Sequence, residues 1–345
     1  MLEFLTAGES HGKYLLAILE GMVAGLRLDG KAINQQLRRR QQGPGRGGRM
    51  AIERDRAEII SGLRRGVTLG SPIALLIKNR DCSIERLSSV SCPRPGHADL
   101  AGSIKYGFSD ARNVLERASA RETAARTAVG AVCRVFLKEF DIKIASRVVS
   151  LGGEGSPAKI KAAIARARRA KDTLGGVLEV TAVNLPVGMG SYVHYDRRLD
   201  GRLAQAVMSI PAIKGVEIGR GFGLADIAGS QAHDAIFYQS GKGYFRKTNN
   251  AGGLEGGVTN GQPLVVRAAM KPISTLGNPL PSVNMLSKRP SRAAVERYDT
   301  AAVAAAAVVA EAVVAFELCR AFLEKFGGDS LNNTRAAYKN YVGKR

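Results

Sequence analysis

The sequence contains no tryptophan, only four cysteines and four histidines, and far fewer acidic than basic side chains. The cysteines, Cys82, Cys92, Cys133 and Cys319, show no CxxC spacing, which argues against a metal centre or a disulfide framework. Aromatic residues make up 6% of the chain, and no basic segment is interleaved with Phe or Tyr as in proteins that stack nucleic-acid bases. Metal-binding and base-stacking functions are therefore not expected.

Long apolar runs are also missing. The most apolar segment, AAVAAAAVVAEAVVAF (301–316), is interrupted by Glu311 and falls short of the about 18–20 residues that span a bilayer. The first residues, MLEFLTAGES, lack the basic region and apolar core of a signal peptide. We therefore expect a cytoplasmic protein that makes no membrane contact.

The excess of basic side chains leaves a formal net charge of +21. Such an excess fits a nucleic-acid-binding protein, a cavity for small polyanions, or a basic surface in solvent. The shortage of base-stacking aromatics argues against the first, but charge alone does not separate the other two.

The pattern of apolar residues predicts a mixed fold. Helices are predicted at 33–41, 119–140, 157–170, 197–210 and 300–326, and strands at 14–26, 66–79, 142–153, 175–185 and 262–272. Strands and helices do not alternate steadily, and neither GxGxxG after a strand nor GxxxxGK[ST] occurs. The pattern favours an α+β fold over a doubly wound nucleotide-binding fold.

Two glycine-rich segments, GPGRGGR (43–49) and GYFRKTNNAGGLEGGVTNG (243–261), are predicted to be loops. Arg40, Arg46 and Arg49 lie in or beside the first. Glycine lets the backbone approach a ligand, and arginine offers two parallel donors to a phosphate or a carboxylate. This segment is a candidate anion site, with a mobile solvated loop as the alternative.

Three further positions carry candidate polar groups. Arg117 and Ser119 precede a predicted helix whose N-terminus favours an anion, although Ser119 also fits a simple capping role. Lys271 follows a predicted strand and begins KPIST (271–275), a turn rich in donors. Asp299 is predicted to be the N-cap of the last helix, which is a structural role on spacing alone.

Two of the four histidines lie in glycine-flanked, non-helical segments: His11 in GESHG (8–12) and His97 in PRPGHAD (93–99). Both are candidates for proton transfer. The Ser10–His11 neighbours are not a hydrolase signature, because adjacent strand residues point to opposite faces and no GxSxG occurs.

These segments together resemble the chorismate synthase family from residue 1 to about 330. The matching stretches include GESHG, RRRQQGPGRGGRM, PRPGHADLAGSIKYGFSDARNVLERASARETAARTAVGA, MSIPAIKGVEIGRGF, GGLEGGVTNGQP, KPISTL and FLEKFGGDS. The resemblance implies a single catalytic domain over 1–330 followed by a basic C-terminal tail over 331–345. It also implies that the α+β fold is a β-α-β sandwich and that the chain forms a homotetramer.

The reaction that the resemblance implies is a 1,4-anti elimination. Phosphate leaves C3 and a hydrogen leaves C6 of 5-enolpyruvylshikimate 3-phosphate, which gives chorismate. The family requires reduced FMN although the reaction has no net redox change. No reductase domain is expected in the chain, so a separate flavin reductase would supply the reduced FMN and NADPH would act only as an indirect reductant.

The resemblance further assigns roles to single residues. His11 is expected to be the acid near the leaving phosphate, and His97 to protonate the reduced flavin near N1. Asp299 is expected to act with flavin N5 in removing the C6 hydrogen, with hydrogen bonds from Ser10 and Ser119.

Binding residues are implied in the same way. Substrate or NADP is expected to contact the arginines of the first glycine segment, Arg40, Arg46 and Arg49. Flavin contacts are expected from Arg117, Ala118, Ser119, Pro211, Ala212, Gly256, Lys271, Pro272, Ile273, Ser274, Thr275 and Arg297. No metal site is expected.

Four positions depart from the family pattern. Pro44 stands where an aromatic is common, Asn250 replaces an arginine, and Ala301 and Ala304 replace a cysteine and a proline. None of these is an expected catalytic group. Two other functions are compatible with the sequence: a basic nucleic-acid-binding protein of the same fold, and an NADPH-linked flavoprotein.

Overall fold

Two four-stranded antiparallel sheets with a layer of helices between them form the body of the molecule. The computed structural model describes residues 1–47, 53–241 and 243–343. The α+β class expected from the sequence is confirmed.

The first sheet comes from the N-terminal region. Its strands and the neighbouring short hairpin are β1 (Glu3–Ala7), β2 (Tyr14–Glu20), β3 (Ala57–Ile59), β4 (Leu63–Arg64), β5 (Val67–Thr68) and β6 (Ile73–Lys78). The sheet order is β1-β2-β6-β3, and every neighbouring pair is antiparallel. Leu15, Ala17 and Leu19 alternate with more exposed residues along β2, so one face of the sheet packs on helices and the other faces outward.

The second sheet has the order β7-β8-β14-β9. The strands of this region are β7 (Lys143–Leu151), β8 (Gly176–Val183), β9 (Ile213–Ile218), β10 (Ile236–Gln239), β11 (Gly243–Arg246), β12 (Leu254–Glu255), β13 (Val258–Thr259), β14 (Leu264–Met270), β15 (Pro281–Val283) and β16 (Pro290–Arg292). The prediction of one long loop over 243–261 was wrong, because β11 pairs with β10 and β12 pairs with β13 as two hairpins.

The α-helices are α1 (Gly30–Gln41), α2 (Asp99–Tyr106), α3 (Arg112–Ala118), α4 (Thr123–Lys138), α5 (Pro157–Arg169), α6 (Leu199–Met208), α7 (Gly229–Ala232), α8 (Val303–Phe326) and α9 (Leu331–Val342). α4 packs on β2 and β6, while α8 packs on β7 and β8. The sequence signals for α5 were read correctly: Ser156 caps the helix by accepting from the backbone N–H of Lys159, and Pro157 occupies its first turn.

The two central helices, α4 and α8, cross closely at Gly130. A Cβ atom added there would lie 2.4 Å from Cα of Ala312, so only glycine allows this approach. Glu311 is buried beside the crossing and accepts hydrogen bonds from Arg39 and Arg134. Burial raises the pKa of Glu311, but the hydrogen bond from Arg39 and the charge of Arg134 hold it below its usual value.

The C-terminal region continues beyond α8. The predicted basic tail contains α9, whose Leu331 and Thr334 are buried. Within the part of the chain that the structure describes, none of the helices combines the length and the hydropathy that a bilayer span requires.

Candidate functional site

A cavity of about 470 Å³ lies where the start of α8 meets the loops after β1 and β14 and the turn before α4. Its volume is in the range of about 300–1,000 Å³ that is usual for small-molecule and cofactor sites. Most of the site residues expected from the sequence line this cavity: Ser10, His11, Arg40, Arg46, His97, Ala118, Ser119, Pro211, Ala212, Lys271, Ile273, Ser274, Thr275, Arg297 and Asp299. Residues far apart in the chain are thus brought together in one place.

Four expected residues are not among the lining residues. Arg117 is exposed and donates to the backbone carbonyls of Thr6 and Gly8. Gly256 lies in the turn between β12 and β13, and Pro272 lies between two lining residues without lining the cavity itself. Arg49 falls outside the described residues. The flavin contacts of Arg117, Gly256 and Pro272 and the anion contact of Arg49 stay predictions.

His11 is fixed at the cavity wall by Glu116 of α3. Its Nδ1 lies 2.9 Å from Oε1 of Glu116, and its backbone N–H donates to Oε2 of the same carboxylate at 2.8 Å. Burial raises the pKa of Glu116, but the hydrogen bonds from the ring and backbone of His11 hold it below its usual value. An ionised carboxylate only accepts, so Nδ1 carries a proton and Nε2 is the ring nitrogen left for a ligand.

His97 is fixed in a similar way by Asp99. His97 Nδ1 lies 2.5 Å from Oδ1 of Asp99, and Arg94 donates to the same carboxylate through Nε at 2.8 Å and Nη2 at 3.0 Å. Arg94 Nη1 also donates to the hydroxyl of Thr275 at 2.7 Å. Burial raises the pKa of Asp99, but the hydrogen bonds from His97 and Arg94 hold it well below its usual value. Asp99 is therefore ionised and orients the imidazole ring.

Arg40 and Arg121 form a buried ion network with Asp55. Arg121 Nη1 lies 2.7 and 2.8 Å from the two oxygens of Asp55, and Arg40 Nη1 lies 3.4 Å from one of them. Arg40 lies in the last turn of α1, next to the glycine loop as expected, and only 5% of its surface is exposed. Burial lowers the pKa of Arg40 to about 10, although Asp55 opposes the shift.

Spacing predicted that Asp299 is the N-cap of the helix expected over 300–326. This prediction is wrong. α8 begins only at Val303, with Ala302 at the capping position. The carboxylate of Asp299 instead accepts from Arg46 and from the backbone N–H of Gly47. Asp299 reaches the glycine loop because that loop lies directly against the entry to α8.

Arg297 pairs with Asp81, and not with the neighbouring Asp299. The hydrogen bond from Ser83 lowers the pKa of Asp81, burial opposes this, and Arg297 lowers it further. Oδ2 of Asp81 also lies 4.0 Å from Nε2 of His11, so the carboxylate of Asp81 lies between the side chains of Arg297 and His11.

Lys271 supplies a cation from the end of β14. Its Nζ donates to the backbone carbonyl of Gly96 at 2.8 Å and to the hydroxyl of Ser274 at 2.9 Å. Burial and the nearby charge of Lys214 lower the pKa of Lys271. The turn that was predicted to be rich in donors is therefore one wall of the cavity.

Sequence reasoning missed several lining side chains, among them Arg94, Arg121, Thr123 and Tyr298. Arg94 lies in PRPGHAD, and Arg121 and Thr123 lie in SARETAAR. Both segments were identified from the sequence, but these three residues were not expected to line the site. The signal that could have found them was a polar residue within four positions of an expected site residue.

The arrangement combines anion binding with proton transfer. Two imidazole rings each hold a proton on Nδ1 towards an ionised carboxylate, which leaves Nε2 to exchange protons with a ligand. Arg40, Arg46, Arg121 and Lys271 add cationic side chains to the same cavity wall. Such side chains suit a ligand that carries anionic oxygens.

The chain is similar over nearly its whole length to proteins of a known family. The family model described as chorismate synthase matches residues 2–323. The chorismate synthase of Moorella thermoacetica is 55% identical over 99% of both chains, and that of Aquifex aeolicus is 53% identical over 99% of this chain and 97% of its own. A crystal structure of a chorismate synthase aligns with a TM-score of 0.83 at 47% identity, covering 99% of this chain and 98% of that one.

Proposed function

Because the chain belongs to the chorismate synthase family, we propose that the cavity at the entry to α8 is its active site. The family's members are lyases of aromatic amino acid biosynthesis, and this chain has their activity, the conversion of 5-enolpyruvylshikimate 3-phosphate to chorismate. The proposals below concern where the substrate lies, which residues act on it, and what else the reaction needs.

The observation that carries the site assignment is the set of cationic side chains that line one cavity. Arg40, Arg46, Lys271 and Arg297 all line it, and the side chains of Arg46 and Arg297 are 12% and 51% exposed. Cationic side chains at a cavity wall bind carboxylate and phosphate oxygens. The substrate carries two carboxylates and a phosphate, so the cations of this cavity match its charge.

Reduced FMN is the proposed cofactor. The lining residues fit it: Lys271, Ser274 and Thr275 offer a cation and hydroxyls for a phosphate, and Pro211 and Ala212 offer apolar surface for a ring. Reduced FMN would supply an electron-rich ring that takes part without net redox change. Lys271 already donates to Gly96 and Ser274, so it is oriented before a ligand arrives.

Each catalytic residue has a proposed task at a stated atom. His11 would donate a proton from Nε2 to the leaving phosphate, since its Nδ1 is held by Glu116. His97 would hold a proton near the flavin from its own Nε2, since Asp99 occupies Nδ1. Asp299 would act with flavin N5 in removing the C6 hydrogen by taking up a proton, and Ser10 and Ser119 would assist with hydrogen bonds.

Other parts of the proposal concern partners. A separate flavin reductase would supply reduced FMN, with NADPH as its indirect source of electrons, and the chain would act in the cytoplasm. A homotetramer is supported by apolar side chains on the outer face of the first sheet, where Leu5 is 70% and Ile18 is 38% exposed.

Anaerobic turnover tests the proposal. The protein is mixed with 5-enolpyruvylshikimate 3-phosphate and dithionite-reduced FMN, and chorismate is followed by its absorbance. We expect turnover with reduced FMN and none with oxidised FMN or with dithionite alone. If chorismate does not form, or forms equally without flavin, the proposed cofactor is wrong. A variant of Arg46 that turns over at the wild-type KM would contradict the site assignment.

A further inference from the structure

The segment that carries His11 is attached to α3 at two residues: Arg117 donates to the backbone carbonyl of Gly8, and Glu116 holds Ser10 and His11. The backbone carbonyl of Glu116 accepts from the N–H of Ser10 at 2.9 Å, and its carboxylate accepts from both the N–H and the ring Nδ1 of His11. His11 and Glu116 are 105 positions apart in the chain. Glu116 does not line the cavity, so it acts on a ligand only through His11.

We infer that Glu116 is a positioning residue that keeps a proton on Nδ1 of His11, so that the proton which the doubly protonated ring gives to a ligand is the one on Nε2. This inference rests on the proposed acid role of His11. The side chains of His11 and Glu116 are 8% and 3% exposed, so water does not compete for Nδ1 and screens the pair little.

The charges around the ring support this assignment. Arg112 Nη1 lies 3.8 Å from Oε1 of Glu116, where it keeps the carboxylate ionised without taking over its contact with the ring. On the opposite side Asp81 lies 4.0 Å from Nε2, beyond hydrogen-bond distance, and is paired with Arg297. Glu116 is therefore the carboxylate that holds the ring, and Asp81 leaves Nε2 available.

Two other histidine–aspartate pairs of the same chain serve as comparisons for the His11–Glu116 pair. His97–Asp99 is a second partly buried pair, and His194–Asp196 has the same contact at 2.6 Å with side chains 53% and 60% exposed. With only four histidines, selective ¹⁵N labelling gives few ring signals to assign. The tautomer and titration of each ring can then be read without any turnover.

The test uses Glu116→Gln, which keeps the shape and loses the charge, and Glu116→Asp, which keeps the charge and withdraws it from Nδ1. In the wild type we expect the His11 signals of an Nδ1–H ring. In Glu116→Gln we expect a larger share of the Nε2–H tautomer, because the amide can donate to Nδ1 as well as accept from it, and anaerobic kcat at neutral pH falls by about 10²-fold with KM within about threefold. The loss shrinks as pH falls, because the doubly protonated ring carries a proton on Nε2 in either variant.

Three controls separate positioning from mere support of the loop. Asp196→Asn removes the partner of an exposed pair that water screens, so it should change the ring signals of His194 only slightly and leave kcat unchanged. Adding Glu116→Gln to His11→Ala should cost no further activity. Glu116→Asp, if folded, should lose activity as well.

An Nε2–H tautomer for His11 in the wild type would overturn the inference. So would a loss in Glu116→Gln that is equal at all pH values, or that adds fully to the loss in His11→Ala. The outcome for the proposed function is separate, because the ring signals report the pair even if the wild type forms no chorismate.

Discussion

Arg46 Nη1 lies 2.5 Å from Oδ2 of Asp299, and this ion pair joins the glycine loop to the entry of α8. The second oxygen of Asp299 accepts from the backbone N–H of Gly47 at 2.5 Å. A Cβ atom on Gly47 would lie 2.3 Å from the carbonyl oxygen of Tyr298, so glycine is needed for this contact. The proposed anion-binding arginine and the proposed base thus hold each other in the absence of ligand.

Replacement of Asp299 by asparagine separates these roles. The amide oxygen still accepts from Gly47, but the side chain can no longer take a proton and no longer neutralises Arg46. We expect anaerobic kcat to fall by about 10²–10⁴-fold, while the substrate binds as tightly as before or more tightly, and the melting temperature changes little. Anaerobic turnover, calorimetric titration with substrate and thermal unfolding measure the three effects.

The matched control for that variant is Arg46→Gln, which removes the other half of the pair. It should weaken substrate binding much more than Asp299→Asn does, since it removes a cation. Full activity of a stably folded Asp299→Asn protein would return Asp299 to a structural role in holding the loop.

The carboxylates of Asp99 and Glu116 make the free energy of unfolding depend on pH. The pKa of Asp99 and that of Glu116 are held below their usual values by hydrogen bonds from His97, Arg94 and His11, although burial opposes this. A depressed pKa means that the stabilisation is complete above the unfolded-state value of about 4 and is lost as pH falls below it. We expect the free energy of unfolding, measured in urea, to decline from about pH 5 downwards.

Asp99→Asn tests the source of that decline. The variant should be less stable than the wild type at neutral pH, and its free energy of unfolding should fall less between about pH 5 and pH 2, because one depressed carboxyl is gone. Asp196→Asn, at an exposed pair, should leave the slope unchanged. An unaltered slope in Asp99→Asn would show that other groups carry the acid dependence.

Local signals predicted much of the fold. The helix expected over 300–326 spans Val303–Phe326, and the helix expected from Pro157 spans Pro157–Arg169. Periodicity, caps and glycine stops are set within a few residues of each boundary, so they can be read from the chain alone. β11 was not predicted because its partner β10 lies outside the segment. The hairpin of β12 and β13 was missed although Gly256-Gly257 between them is a two-residue turn signal.

The site was predictable only in part, for a related reason. Motifs named His11, His97 and Asp299, and the fold brings all three to one cavity. The hydrogen-bond partners of these residues could not be predicted from motifs. Glu116 is 105 positions from His11, and Arg46 is 253 positions from Asp299. Such contacts follow from how the sheets and helices pack, so spacing assigned Asp299 to a cap that Ala302 occupies.

The crossing of the two central helices gives a test of that packing. Gly130→Ala places a Cβ 2.4 Å from Ala312, and neither backbone can move without shifting the core between the sheets. We expect a loss of about 1–3 kcal/mol in the free energy of unfolding. Gly201→Ala in α6 is the control, since its nearest atom would be 3.9 Å away, and it should be neutral or stabilising by up to about 1 kcal/mol. Equal effects of the two substitutions would contradict the close crossing.

The last prediction concerns His97, whose side chain is 20% exposed and whose Nδ1 is taken by Asp99. If the ring holds a proton near the flavin, it matters more in the reacting complex than in the bound ground state. His97→Ala should therefore lower anaerobic kcat by about 10²–10⁴-fold and leave the substrate Kd within a few-fold, because the arginines that bind anions remain. Added imidazole should restore part of the turnover in His97→Ala and none in Asp299→Asn, since the truncation leaves a space of the right shape beside Asp99. A large rise in Kd with unchanged kcat would make His97 a binding residue instead.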